Sequence, residues 1–220
     1  MLFLALLLLA GATAAAQDPD KVAPAIVKVE IDNDWVRVLR VKEGPQQKAP
    51  MHEHPATVVV FLTDVHQRII GGDGAVQEIT RKAGEVQYRD AVKHADENIS
   101  DRPLEAIVIE LKPDAPKLQT APITLDPVKL DPEHHPVVLE NERVRVLRTI
   151  LEPHVKAPMH EHPHYVVVYL TDLHTAMKLS DGKVIDNLRR PGELAWRDAL
   201  KHETENVGDR TAMEIQVELK

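Results

Sequence analysis

The same long segment occurs twice in this chain. RVLRVKEGPQQKAPMHEHP begins at Arg37 and RVLRTILEPHVKAPMHEHP begins at Arg145, an offset of 108 residues (145 − 37). The same offset pairs Gly84 with Gly192 and needs no insertion or deletion. A repeat of this kind is one structural unit repeated, and overlooking it misassigns the whole fold. We therefore predict two copies with one backbone plan, residues 18–112 and 126–220.

Each copy has the pattern of short strands. WVRVLRV and EAIVIELK alternate between apolar and polar residues, as strands do. VVVFLTD is dense in β-branched and aromatic residues, which is typical of a strand covered on at least one face. Asp73-Gly74 and Asp181-Gly182 supply the turn signal that favours hairpins. We therefore predict an all-β chain with a small sandwich or barrel in each copy.

Composition excludes several classes of protein. The formal net charge is −8 and no run of Lys or Arg offers a stripe for phosphates, so we expect no nucleic-acid partner. The chain has no cysteine, which excludes disulfides, thiolate metal ligands and a Cys nucleophile. Its 12 histidines are numerous for 220 residues, and their positions carry the functional interpretation.

The N-terminal run MLFLALLLLAGATAAA is apolar and uncharged, and it ends in an Ala-rich pattern typical of a cleavage site. We predict a signal peptide over residues 1–16 and a secreted or periplasmic mature protein, with no membrane association after cleavage. The alternatives are a buried N-terminal helix or a membrane anchor, although the run is short for a span. The predicted layout continues with domain 1 over 17–112, a Pro-rich linker over 113–125 and domain 2 over 126–220.

Each copy carries a His-x-His pair and a later histidine. On a strand, side chains at i and i+2 leave the same face, so two imidazoles can converge on one point. A third histidine follows in GEVQYRDAVKHADEN and in the matching GELAWRDALKHETEN. Neutral imidazoles suit Zn²⁺, Fe, Ni and Cu. The candidate metal ligands are His52, His54, His94, His160, His162 and His202.

These motifs resemble those of the cupins, and their duplication resembles a bicupin. In that family the first motif is His-x-His-x(3,4)-Glu and the second ends in His-x-x-x-Asn. The resemblance covers almost the whole mature chain and implies two tandem jelly-roll β-barrels, each with a divalent metal ion (Fe, Zn, Mn, Ni or Cu) near its centre. It also implies mostly structural roles for Asn98 and Asn206, the asparagines of the second motif.

Two positions depart from the family pattern. The glutamate ligand is expected near Val58–Val59 and Val166–Val167, and neither copy has it. The Pro-x-Gly before the last histidine is also replaced, by Asp90-Ala91-Val92 and its counterpart in the second copy. Three neutral ligands leave an ion its full charge and an open coordination position, as catalytic sites have. The same loss could equally weaken metal binding.

Other polar residues have two interpretations each. One arginine of each early-strand pair either points into the barrel to bind a substrate carboxylate or, as we favour, lies solvated on an outward face. His164, at i+2 from His162, either adds a ligand or caps its strand. We expect local polar contacts for Arg89-Asp90 and Arg197-Asp198. The early-strand arginines are Arg37, Arg40, Arg145 and Arg148.

The remaining candidates are expected to be structural. Tyr88 and Trp196 are predicted to pack in the core or at its rim. His134-His135 and His154 occur in one copy only and are predicted to be exposed loop residues. A turn role, rather than an acid–base pair, is predicted for residues ending one strand of each copy: Asp64, His66, Asp172 and His174.

Fold alone does not fix function. We expect an exported metal-binding bicupin acting on a small organic molecule, with a metal-dependent, dioxygenase-type oxidoreductase as the leading enzymatic hypothesis and no catalytic residue assigned. The alternatives are a non-catalytic binding or storage protein and a purely structural metal. A small-molecule ligand or substrate is the expected partner, with a homodimer as a further option.

Overall fold

The structure, a computed structural model, describes residues 17–118 and 122–220. The predicted signal peptide lies outside the described residues. Within the described part, no helix is long and apolar enough to cross a membrane. Almost all regular structure is β, as the sequence predicts. The elements of the first half of the chain are α1 (Pro19–Val22), β1 (Val27–Asp32), β2 (Val36–Glu43), β3 (Lys48–His54), β4 (Thr57–Phe61), β5 (Val65–Gly71), β6 (Val76–Arg81), β7 (Val86–Arg89), β8 (Val92–Asn98) and β9 (Leu104–Leu111).

The second half repeats this plan. Its elements are α2 (Pro127–Leu130), β10 (Val137–Glu140), β11 (Val144–Leu151), β12 (Lys156–His162), β13 (Tyr165–Tyr169), β14 (Leu173–Leu179), β15 (Val184–Arg189), β16 (Leu194–Arg197), β17 (Leu200–Asn206) and β18 (Ala212–Leu219). From β2 and β11 onward, every strand has the same bounds at the 108-residue offset. Only β10 begins late, because Pro136 in its path has no N–H for a ladder hydrogen bond.

Each half folds as two facing antiparallel sheets. In the first barrel a five-stranded sheet has the order β1-β2-β9-β4-β7, and a four-stranded sheet has the order β3-β8-β5-β6. The second barrel repeats this with β10-β11-β18-β13-β16 and β12-β17-β14-β15. This pair of interleaved sheets is the jelly-roll arrangement. The two Asp-Gly turns occur as predicted, with Gly74 and Gly182 at φ of 83° and 86°.

The two five-stranded sheets pack against each other and share one hydrophobic core. Val58 and Val60 of β4 face this core, together with Val166 and Val168 of β13. The intervening Val59 faces the interior of its own barrel. Strand β4 is therefore buried on both faces, which explains its unbroken apolar run. Tyr88 and Trp196 pack against the shared core, as predicted.

Two arginines cross between the barrels in matching ways. Arg40 donates from Nη2 to the carbonyl of Gly192 at 2.6 Å, and Arg148 donates from Nη2 to the carbonyl of Gly84 at 2.6 Å. Both glycines have φ near 83°, in the region that favours glycine. The reciprocal contacts make the interface nearly two-fold symmetric.

Candidate metal centres

The strand register brings the predicted histidines together. Strand β3 pairs with β8 so that His52 lies opposite His94, and β12 pairs with β17 so that His160 lies opposite His202. A register shift precedes each His-x-His pair, as in a β-bulge, which can re-aim side chains. Within each barrel the ligand atoms of three buried histidines all lie within 4.8 Å of one another, in the groups His52, His54, His94 and His160, His162, His202.

Hydrogen bonds through Nδ1 aim the first histidine of each pair. His52 Nδ1 lies 2.7 Å from the carbonyl oxygen of Pro50, and His160 Nδ1 lies 2.6 Å from that of Pro158. A carbonyl oxygen can only accept, so Nδ1 carries the proton and Nε2 is left with its lone pair. Histidines that bind metal are commonly held in this way.

A buried glutamate holds the second histidine of each pair. His54 Nδ1 lies 2.7 Å from Glu110 Oε1, and His162 Nδ1 lies 2.6 Å from Glu218 Oε1. Both glutamates are almost completely buried. A carboxylate in this position fixes the tautomer and raises the basicity of the ligand nitrogen. The sequence motifs do not point to these glutamates, because they come from β9 and β18, far along the chain.

Arginines in turn brace the two glutamates. Arg37 donates to Glu110 Oε2 at 3.3 Å, and Arg145 donates to Glu218 Oε2 at 2.6 Å. Both expectations for the early-strand arginines are therefore wrong. None lines either cavity, and none is simply solvated, because Arg37 and Arg145 are bound to carboxylates while Arg40 and Arg148 link the barrels.

Burial disfavours the protonated form of the third histidine of each cluster. It lowers the pKa of His94 to about 3 and lowers the pKa of His202 well below its ordinary value. In the second barrel, Nε2 of His160, His162 and His202 has no hydrogen-bond partner among the described residues. In the first, Nε2 of His52 and of His94 face each other at 2.9 Å. Converging ring nitrogens that face only one another, or no partner at all, fit a divalent ion.

A small cavity adjoins each cluster. The first measures about 50 Å³ and the second about 30 Å³. Val59, Phe61 and Val108 form part of the apolar wall of the first. Arg89 lines the first cavity and Arg197 the second, and burial lowers the pKa of Arg89. Within the described ranges the predicted local contacts with Asp90 and Asp198 do not form, and the arginines instead place a positive charge inside each barrel.

The first cavity contains two acidic groups, Glu43 and Asp96, whose counterparts in the second barrel are not acidic, whereas the second cavity is lined by Glu214. Asp96 Oδ2 lies 3.6 Å from His94 Nε2 and 3.9 Å from His52 Nε2. Glu43 is 1% exposed and accepts from Gln67 Nε2 at 3.2 Å. Burial, with a further contribution from Asp96, raises the pKa of Glu43 to about 9. At the matching positions the second barrel has Leu151 in place of Glu43 and Thr204 in place of Asp96.

The second barrel has a fourth buried histidine. His135 is 1% exposed, lines the cavity, and has its ring centroid 5.0 Å from that of His160. The prediction that His135 is an exposed loop residue is wrong, because the short segment before β10 folds into the barrel. His134 is partly buried against Asp131, and His154 is exposed as predicted.

The other candidates lie away from the clusters. His164 does not join the second cluster, since its ring stacks on Trp35 of the first barrel at 5.1 Å. Asp64 accepts from the backbone N–H of Ala83 in an exposed turn, as predicted. The turn role predicted for His66 and His174 is wrong, because they lie within β5 and β14, and with Asp172 they lie outside both cavities. Asn98 and Asn206 are fully buried, and each donates to loop carbonyls, which is the structural role expected.

No protein-family model and no curated protein matches the sequence. Solved structures do match. AerE from Microcystis aeruginosa aligns with a TM-score of 0.66 at 12% identity, over 88% of this chain and 91% of that one. A variant of oxalate decarboxylase from B. subtilis gives 0.59 at 12% identity, over 84% and 68%. A cupin 2 conserved barrel domain protein from Leptotrichia buccalis gives 0.54 at 11% identity, over 89% and 88%. This chain therefore has the tandem cupin fold.

Proposed function

We propose that this protein is a metal-dependent bicupin that binds and converts a small organic anion, with a dioxygenase-type oxidation as the leading reaction. One observation carries the proposal: each barrel gathers three buried imidazoles whose ligand nitrogens converge beside a cavity. A bound divalent ion would supply Lewis acidity and open coordination positions there. The chain's own residues would hold that ion and shape the space beside it.

The surrounding residues support a site that is pre-organised for the ion. Glu110 and Glu218 hold the second imidazole of each pair, and Arg37 and Arg145 fix those carboxylates in turn. Rotation of either imidazole would break a short buried hydrogen bond. A rigid ligand set supported by a second layer of hydrogen bonds is what a functional metal site requires.

The cavities support a small anionic ligand. A cavity of about 50 Å³ has room for a few water-sized groups, which excludes a bulky ligand without movement of the walls. Arg89 and Arg197 offer guanidinium groups inside the barrels, and such groups pair best with carboxylates. The likeness to oxalate decarboxylase, named for a small dicarboxylate, agrees with this class of ligand.

We also propose export. The apolar run over residues 1–16 ends at Ala14-Ala15-Ala16, a small-residue pattern typical of a cleavage site. N-terminal sequencing of the protein recovered from whole cells and their medium together should begin near Gln17. A retained Met1 would contradict export and would leave the metal proposal untouched.

The test of function combines metal content with oxygen uptake. Protein purified without a His-tag should contain about one transition-metal ion per cluster by elemental analysis, given the affinity of a three-histidine site. Oxygen consumption is then measured with a panel of small carboxylates, phenols and keto acids. His66→Ala is the matched control, because His66 is an exposed histidine outside both cavities and should change neither result.

A second candidate is a non-catalytic binding or storage protein whose metal is structural. The small size of the second cavity, about 30 Å³, favours this for the second barrel. Bound metal with no oxygen uptake and no product from any substrate would support the second candidate. Absence of metal from both clusters would contradict both candidates.

A further inference from the structure

The two clusters have the same three histidines and different fourth polar groups. In the first barrel this group is Asp96, which lies on β8 two residues after His94 and therefore leaves the same face of the strand. Asp96 is 8% exposed, and its Oδ1 has no hydrogen-bond partner among the described residues. Its Oδ2 lies within 4 Å of two ligand nitrogens. A buried carboxyl group this close to the cluster can contribute an oxygen donor to a bound ion.

The second barrel cannot supply that carboxylate from the same position. Thr204 replaces Asp96, and its Oγ1 lies 2.8 Å from His202 Nδ1, so the hydroxyl supports the ring. The additional group is instead His135, at the position of Val27 in the first barrel. Its Nδ1 lies 3.2 Å from the carbonyl oxygen of Asp131, an acceptor, which leaves Nε2 unprotonated. Its ring packs edge-on against His160.

We propose that the two centres select different metal ions. The first, with Asp96 beside three imidazoles, retains a harder ion such as Mn²⁺ against Zn²⁺ better than the second, which has His135 beside its cluster instead. Carboxylate donors suit Mg, Ca and Mn, whereas imidazole suits Zn, Cu, Fe and Ni. This inference rests on the proposed metal-binding function and adds to it a chemical difference between the copies.

The primary experiment is a competition titration of the full-length mature protein. Protein stripped of metal is loaded with Mn²⁺, and Zn²⁺ is added in steps while released Mn²⁺ is followed by its EPR signal. We expect Mn²⁺ to be released in two steps whose midpoint Zn²⁺ concentrations differ by about tenfold or more, or Mn²⁺ to bind at one centre only. This separation is expected because groups that support a metal site change its affinity roughly 10–100-fold.

Variants assign each step to a barrel. His160→Ala/His202→Ala leaves the first centre intact, and His52→Ala/His94→Ala leaves the second. Asp96→Thr gives the first centre the residue of the second barrel, and Asp96→Asn keeps the size while removing the charge. His135→Val gives the second centre the residue of the first. Circular dichroism and urea unfolding show whether each variant is folded. If a variant does not fold, the titration of the wild-type protein still tests the inference.

The outcomes separate the two proposals. A single release step in the wild type, or two Zn²⁺ bound with no Mn²⁺ at either centre, would overturn the selective-metal inference and leave metal binding intact. So would an unchanged Mn²⁺/Zn²⁺ ratio in Asp96→Thr and Asp96→Asn. No binding of either ion at either centre would overturn the proposed function itself. Selectivity at the first centre that falls in both Asp96 variants would support the inference.

Discussion

The interiors of the two barrels can be compared position by position, because their strands have the same bounds at a fixed offset. The metal framework is shared: a His-x-His pair, a third histidine opposite, a glutamate that holds one ring and an arginine that braces the glutamate. The walls differ. Glu43 and Asp96 of the first barrel become Leu151 and Thr204 in the second, and Ala106 becomes Glu214. The difference therefore lies in the groups around the ligands.

The acidic groups of the two cavities are arranged differently. Glu43 lies with Gln67 and Asp96 in the first barrel, close to the histidine cluster. Glu214 of the second barrel accepts from Gln216 Nε2 at 2.7 Å, and burial raises its pKa. The two copies of the fold thus have the same three histidines, whereas the polar residues that line each cavity differ. This comparison yields four predictions.

The largest effect should follow removal of a central histidine. His94→Ala should lose the metal of the first barrel and His202→Ala that of the second, each with at least about a 100-fold drop in affinity, because two imidazoles hold an ion poorly. Elemental analysis of each variant should show one ion fewer than the wild type. Loss of both ions from either single variant would break the comparison by showing that the centres are not independent.

The second prediction concerns acid sensitivity of the metal-free protein. Burial and the neighbouring His160 lower the pKa of His135 from its ordinary 6.5 to about 4. Between these two pKa values the unfolded chain binds a proton at this histidine and the folded chain does not. The free energy of unfolding is therefore highest above pH 6.5 and decreases as the pH falls towards 4. His135→Val removes this group and should reduce the loss of stability between roughly pH 7.5 and 4.5 by about 2.5 kcal/mol.

Urea unfolding of the metal-free protein at the two pH values measures this difference. His66→Val is the matched control, because it makes the same substitution at an exposed histidine outside both cavities. The first barrel has Val27 at the matching position, so the variant makes the barrels alike there. Equal losses in wild type and His135→Val would show that His135 is not held neutral in the folded protein.

The third prediction tests the shared framework. Glu110→Gln and Glu218→Gln each preserve size and weaken the hold on the imidazole, so each should lower metal affinity roughly 10–100-fold at its own centre only. Isothermal titration with Zn²⁺ in backgrounds that retain one centre measures the two effects separately. Similar losses of affinity would show that the glutamates contribute equally and that the barrels differ only in the groups around the ligands. Unequal losses would show that the two glutamates themselves contribute differently.

Part of this architecture could be predicted from the sequence, for identifiable reasons. The repeat fixes the equivalence of the copies, and the period-two geometry of a strand places His52 and His54 on one face. The shared core could not be predicted, because VVVF has the same pattern whether one face or both are covered. Tertiary packing also decides the roles of Arg37 and His135, since their partners Glu110 and His160 are distant in the sequence.

The interface between the barrels gives the fourth and smallest effect. Arg40 and Arg148 make the same hydrogen bond to a glycine carbonyl in the other barrel, but Arg40 also binds Glu30 and Glu105. In the second barrel Val138 and Met213 occupy the positions of those two carboxylates. Arg148→Ala should therefore lower the free energy of unfolding by about 1 kcal/mol, the net value of one hydrogen bond.

Arg40→Ala should cost more, about 2 kcal/mol, because it also removes the guanidinium that joins two partly buried carboxylates and leaves each of them with one exposed lysine only. Equilibrium urea unfolding at neutral pH, with metal removed from all samples, measures both. Raising the salt concentration sharpens the comparison, since screening should reduce the excess in Arg40→Ala and leave Arg148→Ala nearly unchanged. If the two variants lose equal stability at low salt, the carboxylates around Arg40 contribute nothing, and the interface is as symmetric in energy as it is in geometry.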